Sequence, residues 1–342
     1  MSEDVLVPEI DELLPDVVAD PDDREPMDVH TGDLGPEAPA QAGAATVGNL
    51  LDDALARIRR RQQDEESPLP LPGDWAALSS RLDGGLWPGL YLLQGNTGSG
   101  KTSFALQVAL HAARQGAPVA YFSLDIDRMQ VVARLLAQLT SVPWRDIYFG
   151  RMRIGQLAML ESKMGELVNI PLAVRDVSPM DWSYQDLETD FRNALNGLGG
   201  YRNDVPPLLI LDFLQLVSAP AGGPQEDLRH RIAHAVHLGR SIARKMHAAV
   251  LMLSCAAREH YATLIGEKGD TPIGEGDAAR LVGLGKESDD VEWAADGLLI
   301  LARDQHGKDW VAIAKRRDEQ RGWVEMPFDP AIGRFAGSAG GP

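Results

Sequence analysis

Cysteine is almost missing from this chain: Cys255 is the single one in 342 residues. No intramolecular disulfide can form, so stability must come from a packed core, and the chain suits a reducing compartment. Long apolar runs are missing too. No stretch approaches the ~20 apolar residues that carry a helix across a bilayer, and the N-terminus is acidic where a secretory signal begins basic. These absences predict a soluble, cytoplasmic protein with no membrane partner. Positive charge is also scarce, with 33 Lys and Arg against 50 Asp and Glu, a net −17. The deficit is local. Residues 1–40 hold thirteen acidic residues against Arg24 alone, or −12, which leaves −5 for the other 302 residues. A strongly acidic chain argues against nucleic acid as a partner, but an excess held at one end does not exclude it.

What the chain does contain is a phosphate loop. Gly95-Asn96-Thr97-Gly98-Ser99-Gly100-Lys101-Thr102 completes the pattern G-x-x-x-x-G-K-[ST]. The apolar run at 90–93 before it reads as a buried strand. Phe104, Val108 and Ala112 after it recur at helical spacing, with Gly116 as a stop. Glycines let the backbone curl so that its N–H groups point at phosphate oxygens, and the helix N-terminus adds partial positive charge there. Gly95 to Thr102, with Ser103 behind them, are therefore the candidate nucleotide-binding residues. Lys101 would reach the outer phosphates of ATP and Thr102 would ligate Mg2+. The alternative, a Gly/Ser-rich turn, fits the strand–loop–helix context poorly.

The organisation follows from composition. Residues 1–45, rich in Asp, Glu, Pro and Ala, read as a disordered acidic tail. Its Val5, Leu6, Ile10, Leu13 and Leu14 offer a short motif for a protein partner, against the plainer reading of a solvated tail. Residues 46–66 switch to helical periodicity, with Leu50, Leu51, Ala54, Leu55 and Ile58 on one stripe and arginines crowding the last turn. A lone helix with one apolar face must bury it on something. Residues 67–73, SPLPLPG, read as an extended linker. Residues 74–336 alternate candidate strands (90–94, 118–124, 208–217, 248–254, 297–302, 310–314) with helical segments near 103–115, 128–140, 184–196 and 225–246. That order predicts an α/β domain, a mostly parallel central sheet flanked by helices. Residues 337–342 read as a flexible end. The Gly-rich stretch 256–290 is too long for an idle loop in a compact domain.

Four aliphatic residues followed by Asp212 read as a buried central strand that carries a carboxylate to the edge of the sheet, where it can orient Mg2+. Phe122-Ser123-Leu124-Asp125 ends another strand the same way. Asp125 is a candidate water-activating base, or else the cap of the helix at 128–140.

At this point the chain resembles a family, the C-terminal motor domain of DnaB-type replicative helicases within the RecA-like P-loop ATPases. The resemblance runs from about residue 48 to 335. It is carried by LWPGLYLLQGNTGSGK at 86–101, Phe122-Ser123-Leu124-Asp125, Leu211-Asp212-Phe213-Leu214-Gln215-Leu216, Leu253-Ser254, Lys286-Glu287-Ser288 with Ala295-Asp296, and Ile313-Ala314-Lys315-Arg316-Arg317. It implies an ATP-hydrolysing ring, a hexamer, that moves on single-stranded DNA in replication. The helix ahead of the linker then packs on the adjacent subunit. Lys101, Asp125 and Asp212 take the catalytic roles, with Thr102 and Asp212 at the metal. Lys315 and Arg317 match the pair that reaches into the neighbour's nucleotide, where a planar cation stabilises the transition state; without the resemblance they read as a solvated strand end. Departures from the pattern are Asp125 in place of Glu, Cys255 in place of a Gln that senses the γ-phosphate, and the acidic tail where the family has a helical domain for ring assembly and primase contact.

The resemblance places DNA on loops within 256–290. Arg258, Arg280 and Lys286 are the candidate contacts there, but with Lys268 they face eight acidic residues, a net −4, which is no electrostatic funnel. The basic run Arg229, Arg231, Arg240, Arg244 and Lys245 reads as a solvated helical face. Two other functions fit the same fold: a regulatory or scaffold ATPase with weak hydrolysis and no unwinding, favoured by Asp125, Cys255 and the acidic loop, and a recombinase-like DNA-binding filament.

Overall fold

A computed structural model of the chain describes residues 46–63, 65–199, 205–220, 226–255, 293–304, 306–316 and 321–337. Helix α1 (Val47–Gln62) comes first. It is followed by the short strand β1 (Leu69–Pro70), helix α2 (Ala76–Arg81), strand β2 (Gly85–Leu86) and strand β3 (Gly89–Gly95). The phosphate loop leads into α3 (Lys101–Arg114), then β4 (Val119–Ser123), α4 (Arg128–Thr140), α5 (Trp144–Tyr148), α6 (Ile154–Val168) and β5 (Leu172–Asp176). The second half runs α7 (Leu187–Gly197), β6 (Leu208–Asp212), α8 (Leu228–Lys245), β7 (Ala249–Cys255), β8 (Gly297–Arg303), β9 (Asp309–Arg316) and β10 (Gly322–Glu325). It ends on the hairpin β11 (Phe328–Asp329) and β12 (Arg334–Phe335).

The main sheet has eight strands in the order β10-β9-β8-β3-β7-β6-β4-β5. From β8 to β5 the neighbours are parallel, while β9 and β10 close the other edge antiparallel. The central strands are apolar at nearly every position because both faces are covered. On one face Leu90, Leu92, Phe122, Leu209 and Leu211 pack under α7 and α8. On the other, Tyr91, Leu93, Tyr121, Leu208 and Ile210 pack under α3 and α4. No described helix is long and apolar enough to cross a membrane.

The strands and helices expected from periodicity lie where they were placed, with two differences. The strand expected over 208–217 stops at Asp212, and a 3-10 turn follows at Leu214–Leu216. The Pro-rich stretch expected as a linker is built into the core. Leu69 is fully buried and Leu71 nearly so, and β1 pairs antiparallel with β2. Its prolines hold the chain extended; its leucines decide that it packs. Elements with short or weak patterns, namely α2, β2, α5, α6, β5, β10 and the hairpin β11–β12, have no counterpart in the sequence reading.

Two buried glutamines fasten that hairpin behind the phosphate loop. Gln107 donates to Phe335 O at 2.8 Å and accepts from Phe335 N at 2.8 Å. Gln138 donates to Gly333 O at 2.7 Å and Ser103 O at 3.0 Å. Trp75, Phe104, Phe328 and Phe335 complete the joint as an aromatic cluster.

Candidate nucleotide site

Strand β3 ends in the middle of the sheet, and the turn after it must reverse into α3 within a few residues. Gly100 makes that turn at φ 92°, a left-handed conformation, and a Cβ there would lie 2.8 Å from the Phe335 ring and 2.9 Å from the Phe328 ring. At Gly95 a Cβ would meet Ser99 Oγ at 2.5 Å. Helix α3 has no side-chain cap, so its first N–H groups are open to an anion. Lys101 Nζ folds over the loop, donating to Gly95 O at 2.8 Å and Asn96 O at 3.0 Å.

The parallel pairing of β4 with β6 sets Ser123 opposite Asp212, so the ends of both strands meet beside this loop. Asp212 is buried, 2% exposed. Its Oδ2 accepts from Tyr121 Oη at 2.6 Å, and the Thr102 side chain beside it also acts to lower its pKa. Burial raises the Asp212 carboxyl above the ordinary carboxylate range despite these two neighbours. Burial likewise lowers the Lys101 ammonium, against the pull of Cys255, Asp212 and Asp125. In both groups desolvation outweighs pair attraction. Phosphates at Lys101 and a cation at Asp212 would reverse both shifts.

Thr102, Asp125 and Asp212 line one pocket of about 660 Å³ together with Lys101 and Cys255. The capping alternative for Asp125 is overturned, because the cap of α4 is Asp127, whose Oδ1 accepts from Gln130 N at 2.8 Å. Thr102 and Asp212 are hard oxygen donors suited to Mg2+. Among the described residues there is no cluster of three or more His, Cys, Asp or Glu that could enclose a metal. That sparse donor set fits an ion that takes its remaining ligands from phosphates and water.

The structure adds residues that the sequence reading passed over. Arg134 enters the pocket from α4. Its guanidinium lies 4.0 Å over the Trp144 ring, and its Nε is buried without a hydrogen-bond partner. Burial lowers its pKa while Tyr121, Asp212 and Asp125 act to hold it charged. A cation inside the apolar run at 131–137 was the available signal. Trp144 and Arg145 of α5, Phe213, and Phe328, Pro330 and Ala331 of the hairpin form the far wall. Gln215 clamps the end of β7, donating to Ser254 Oγ at 3.0 Å and accepting from Cys255 N at 3.2 Å. Lys315 does not figure among the pocket residues. Its Nζ donates to Trp293 O at 2.8 Å and sits 5.2 Å over that ring. Arg317, Arg258, Arg280 and Lys286 lie outside the described residues. On α8, Lys245 pairs with Glu188 at 3.0 Å and Arg231 donates to Val217 O at 3.0 Å, so part of the basic run is engaged within the domain.

Residues 71–337 match the family described as the DnaB-like helicase C terminal domain. The chain belongs to that family. Among curated relatives, the replicative DNA helicase DnaB of Treponema pallidum is 24% identical over 289 residues, 84% of this chain and 60% of the relative. The Geobacillus stearothermophilus DnaB is 23% identical, over 94% of this chain and 66% of the relative. The chain thus spans about 60% to 66% of the length of these two DnaB relatives. A solved ATPase domain superposes with a TM-score of 0.69 at 21% identity, covering 84% of this chain and 98% of that one. A DnaB-like replicative helicase, solved for its interactions with primase, gives 0.67 at 20% identity over 86% of this chain and 67% of that one. The fold of this DnaB-family domain is the RecA-like one, and its pocket lies where parallel strand ends meet the phosphate loop.

Proposed function

We propose that the chain is an ATP-hydrolysing ring motor of the DnaB type, which uses Mg2+ and moves single-stranded DNA. The observation that carries the reading is the gathering of Lys101, Thr102, Asp125, Arg134 and Asp212 around one pocket at the strand ends. Lys101 and the open N–H groups of α3 bind the outer phosphates. Arg134 adds a second cation to that wall. Asp125 accepts the proton of the attacking water. Mg2+ at Thr102 and Asp212 supplies charge neutralisation between the phosphates when bound. Lys315 and Arg317 serve the neighbouring copy's nucleotide, in keeping with Lys315 standing away from its own pocket.

Two exposed apolar surfaces support a ring. Along α1, Leu50, Leu51, Leu55 and Ile58 are 48–54% exposed. Across α4 to α6, Met129, Phe149, Ile154 and Leu157 are exposed as well. Different patches on one chain make a head-to-tail contact, which closes into a ring when the rotation allows. The test is ATP turnover with and without a single-stranded oligonucleotide. Stimulation by the oligonucleotide is expected, and Lys101→Ala should abolish turnover; undiminished turnover in that variant would show that this loop is not the site.

A regulatory ATPase with weak hydrolysis is favoured by one observation. Cys255 lines the pocket, and a thiol is a poor donor to a γ-phosphate. Slow turnover indifferent to DNA would select that reading.

A further inference from the structure

Tyr121 lies one turn of the pleat below the reacting edge of the sheet, and its position explains more than packing. It is 0% exposed, on the face of β4 that packs under α3 and α4. A tyrosine wholly enclosed needs a partner for its hydroxyl. The partner here is the carboxylate at the end of the neighbouring strand, at 2.6 Å. Asp212 has competing attractions: Lys101 draws it from the phosphate loop, and Arg134 from α4. A buried carboxylate free to rotate would turn toward those cations. The hydroxyl of Tyr121 holds Oδ2 from inside the sheet at hydrogen-bond distance, and the Thr102 hydroxyl stands near the carboxylate on the helix side. Both are neutral, so neither cancels the negative charge that a divalent cation needs.

We propose that Tyr121 is a positioning residue for the metal site: its hydroxyl fixes the Asp212 carboxylate in the orientation that receives Mg2+ beside Thr102. The inference rests on the nucleotide-site reading above. Its physical content is selective. Removing the hydroxyl should weaken the cation's hold and spare the phosphate loop, because Lys101 Nζ bonds to Gly95 O and Asn96 O and not to Tyr121. Losses of about tenfold to a hundredfold in metal affinity are usual when an outer partner of a ligand is removed.

The experiment compares the full-length chain with its Tyr121→Phe variant, which keeps the ring and deletes one oxygen. Binding of a fluorescent ADP is measured without metal, and Mn2+ is then titrated into the ADP complex by electron paramagnetic resonance. The expected result is unchanged ADP affinity without metal and an Mn2+ affinity about tenfold or more weaker. Equal Mn2+ affinity in the two proteins overturns the inference, as does a parallel loss of metal-free ADP binding, which would mark a structural role. A second comparison starts from Asp212→Asn, where no carboxylate remains to be held. Adding Tyr121→Phe there should cost little further Mn2+ affinity, and a full additional loss overturns the inference. Lys101→Ala separates the two levels: if it binds ADP like wild type, the nucleotide-site reading fails; if it does not and Tyr121→Phe titrates normally, only the role of Tyr121 fails.

Discussion

At the scale of single residues, two of the pocket's carboxylates, Asp212 and Asp125, have different surroundings. Asp212 is buried and held by the Tyr121 hydroxyl, which suits a metal ligand. Asp125 stands at the pocket wall, and the capping work beside it belongs to Asp127. Asp125→Asn should therefore lower kcat by about 10² to 10⁴ while fluorescent ATP binding stays near wild type, since an amide cannot take the water's proton. Asp125→Glu should match or exceed wild type. If Asn leaves kcat intact, the base lies elsewhere. Arg134 shows why such residues escape a sequence reading. A cation in an apolar helical run carries no pattern of its own; its meaning comes from Trp144 and Asp125, which other elements bring to it.

At the scale of elements, α1 is fastened at its C-terminal end and bare along its stripe. Glu66 accepts from Arg57 at 2.9 Å and Arg61 at 3.2 Å, Arg57 meets His247 Nε2 at 3.2 Å, and Arg61 lies 4.6 Å over the Trp87 ring. This cluster is sensitive to acid. Burial, then Arg57, holds His247 below the ordinary histidine range. For Glu66, burial works upward, but the hydrogen bonds and charges of Arg57 and Arg61 leave its pKa below the ordinary value. Both groups bind protons more weakly here than in a detached helix. The anchor is therefore complete above the ordinary histidine range and weakens as pH falls through it and then through the Glu66 range. The protection factors of the α1 amides, corrected for the intrinsic exchange rate at each pH, should fall from pH 7.5 toward pH 5; protection that is flat with pH would remove the cluster as the anchor. Truncation tests the stripe. Deleting residues 1–45 should leave the assembly intact, and deleting residues 1–66 should reduce it to monomers in sedimentation. A cut past residue 68 should fail differently, by unfolding, because Leu69 and Leu71 belong to the core.

At the scale of the whole molecule, the decisive property is whether one site needs two copies. Lys101→Ala subunits have a dead pocket of their own, and Arg317→Ala subunits an intact one. Each alone should be nearly inactive, since losing an arginine finger costs ~10³-fold or more in rate. In mixed assemblies an Arg317→Ala pocket can stand beside an intact Arg317, and part of the ATP turnover should return. Were Arg317 to serve its own pocket, no mixture would place a working lysine and arginine together. No recovery, with subunit exchange shown independently, would end the shared-site mechanism and favour the regulatory reading.

The glycine-rich loop between β3 and α3, the sheet type and the family were all determined by the sequence alone, because each rests on local spacing. A loop that wraps phosphate needs its glycines and lysine within a few residues, and strands buried on both faces announce themselves as aliphatic runs. What only the tertiary structure decided were the relations between distant segments. SPLPLPG has the composition of a linker, and it joins the core because β2 lies ready to pair with it. The hairpin β11–β12 is too short to show a period, and Gln107 and Gln138 hold it against the loop. Tyr121 reads as one more apolar residue in a strand until β6 is laid beside β4. Periodicity records which way a side chain faces; it takes the packed sheet to show what it meets there, since hydrogen bonds and buried charges depend on distances across the fold.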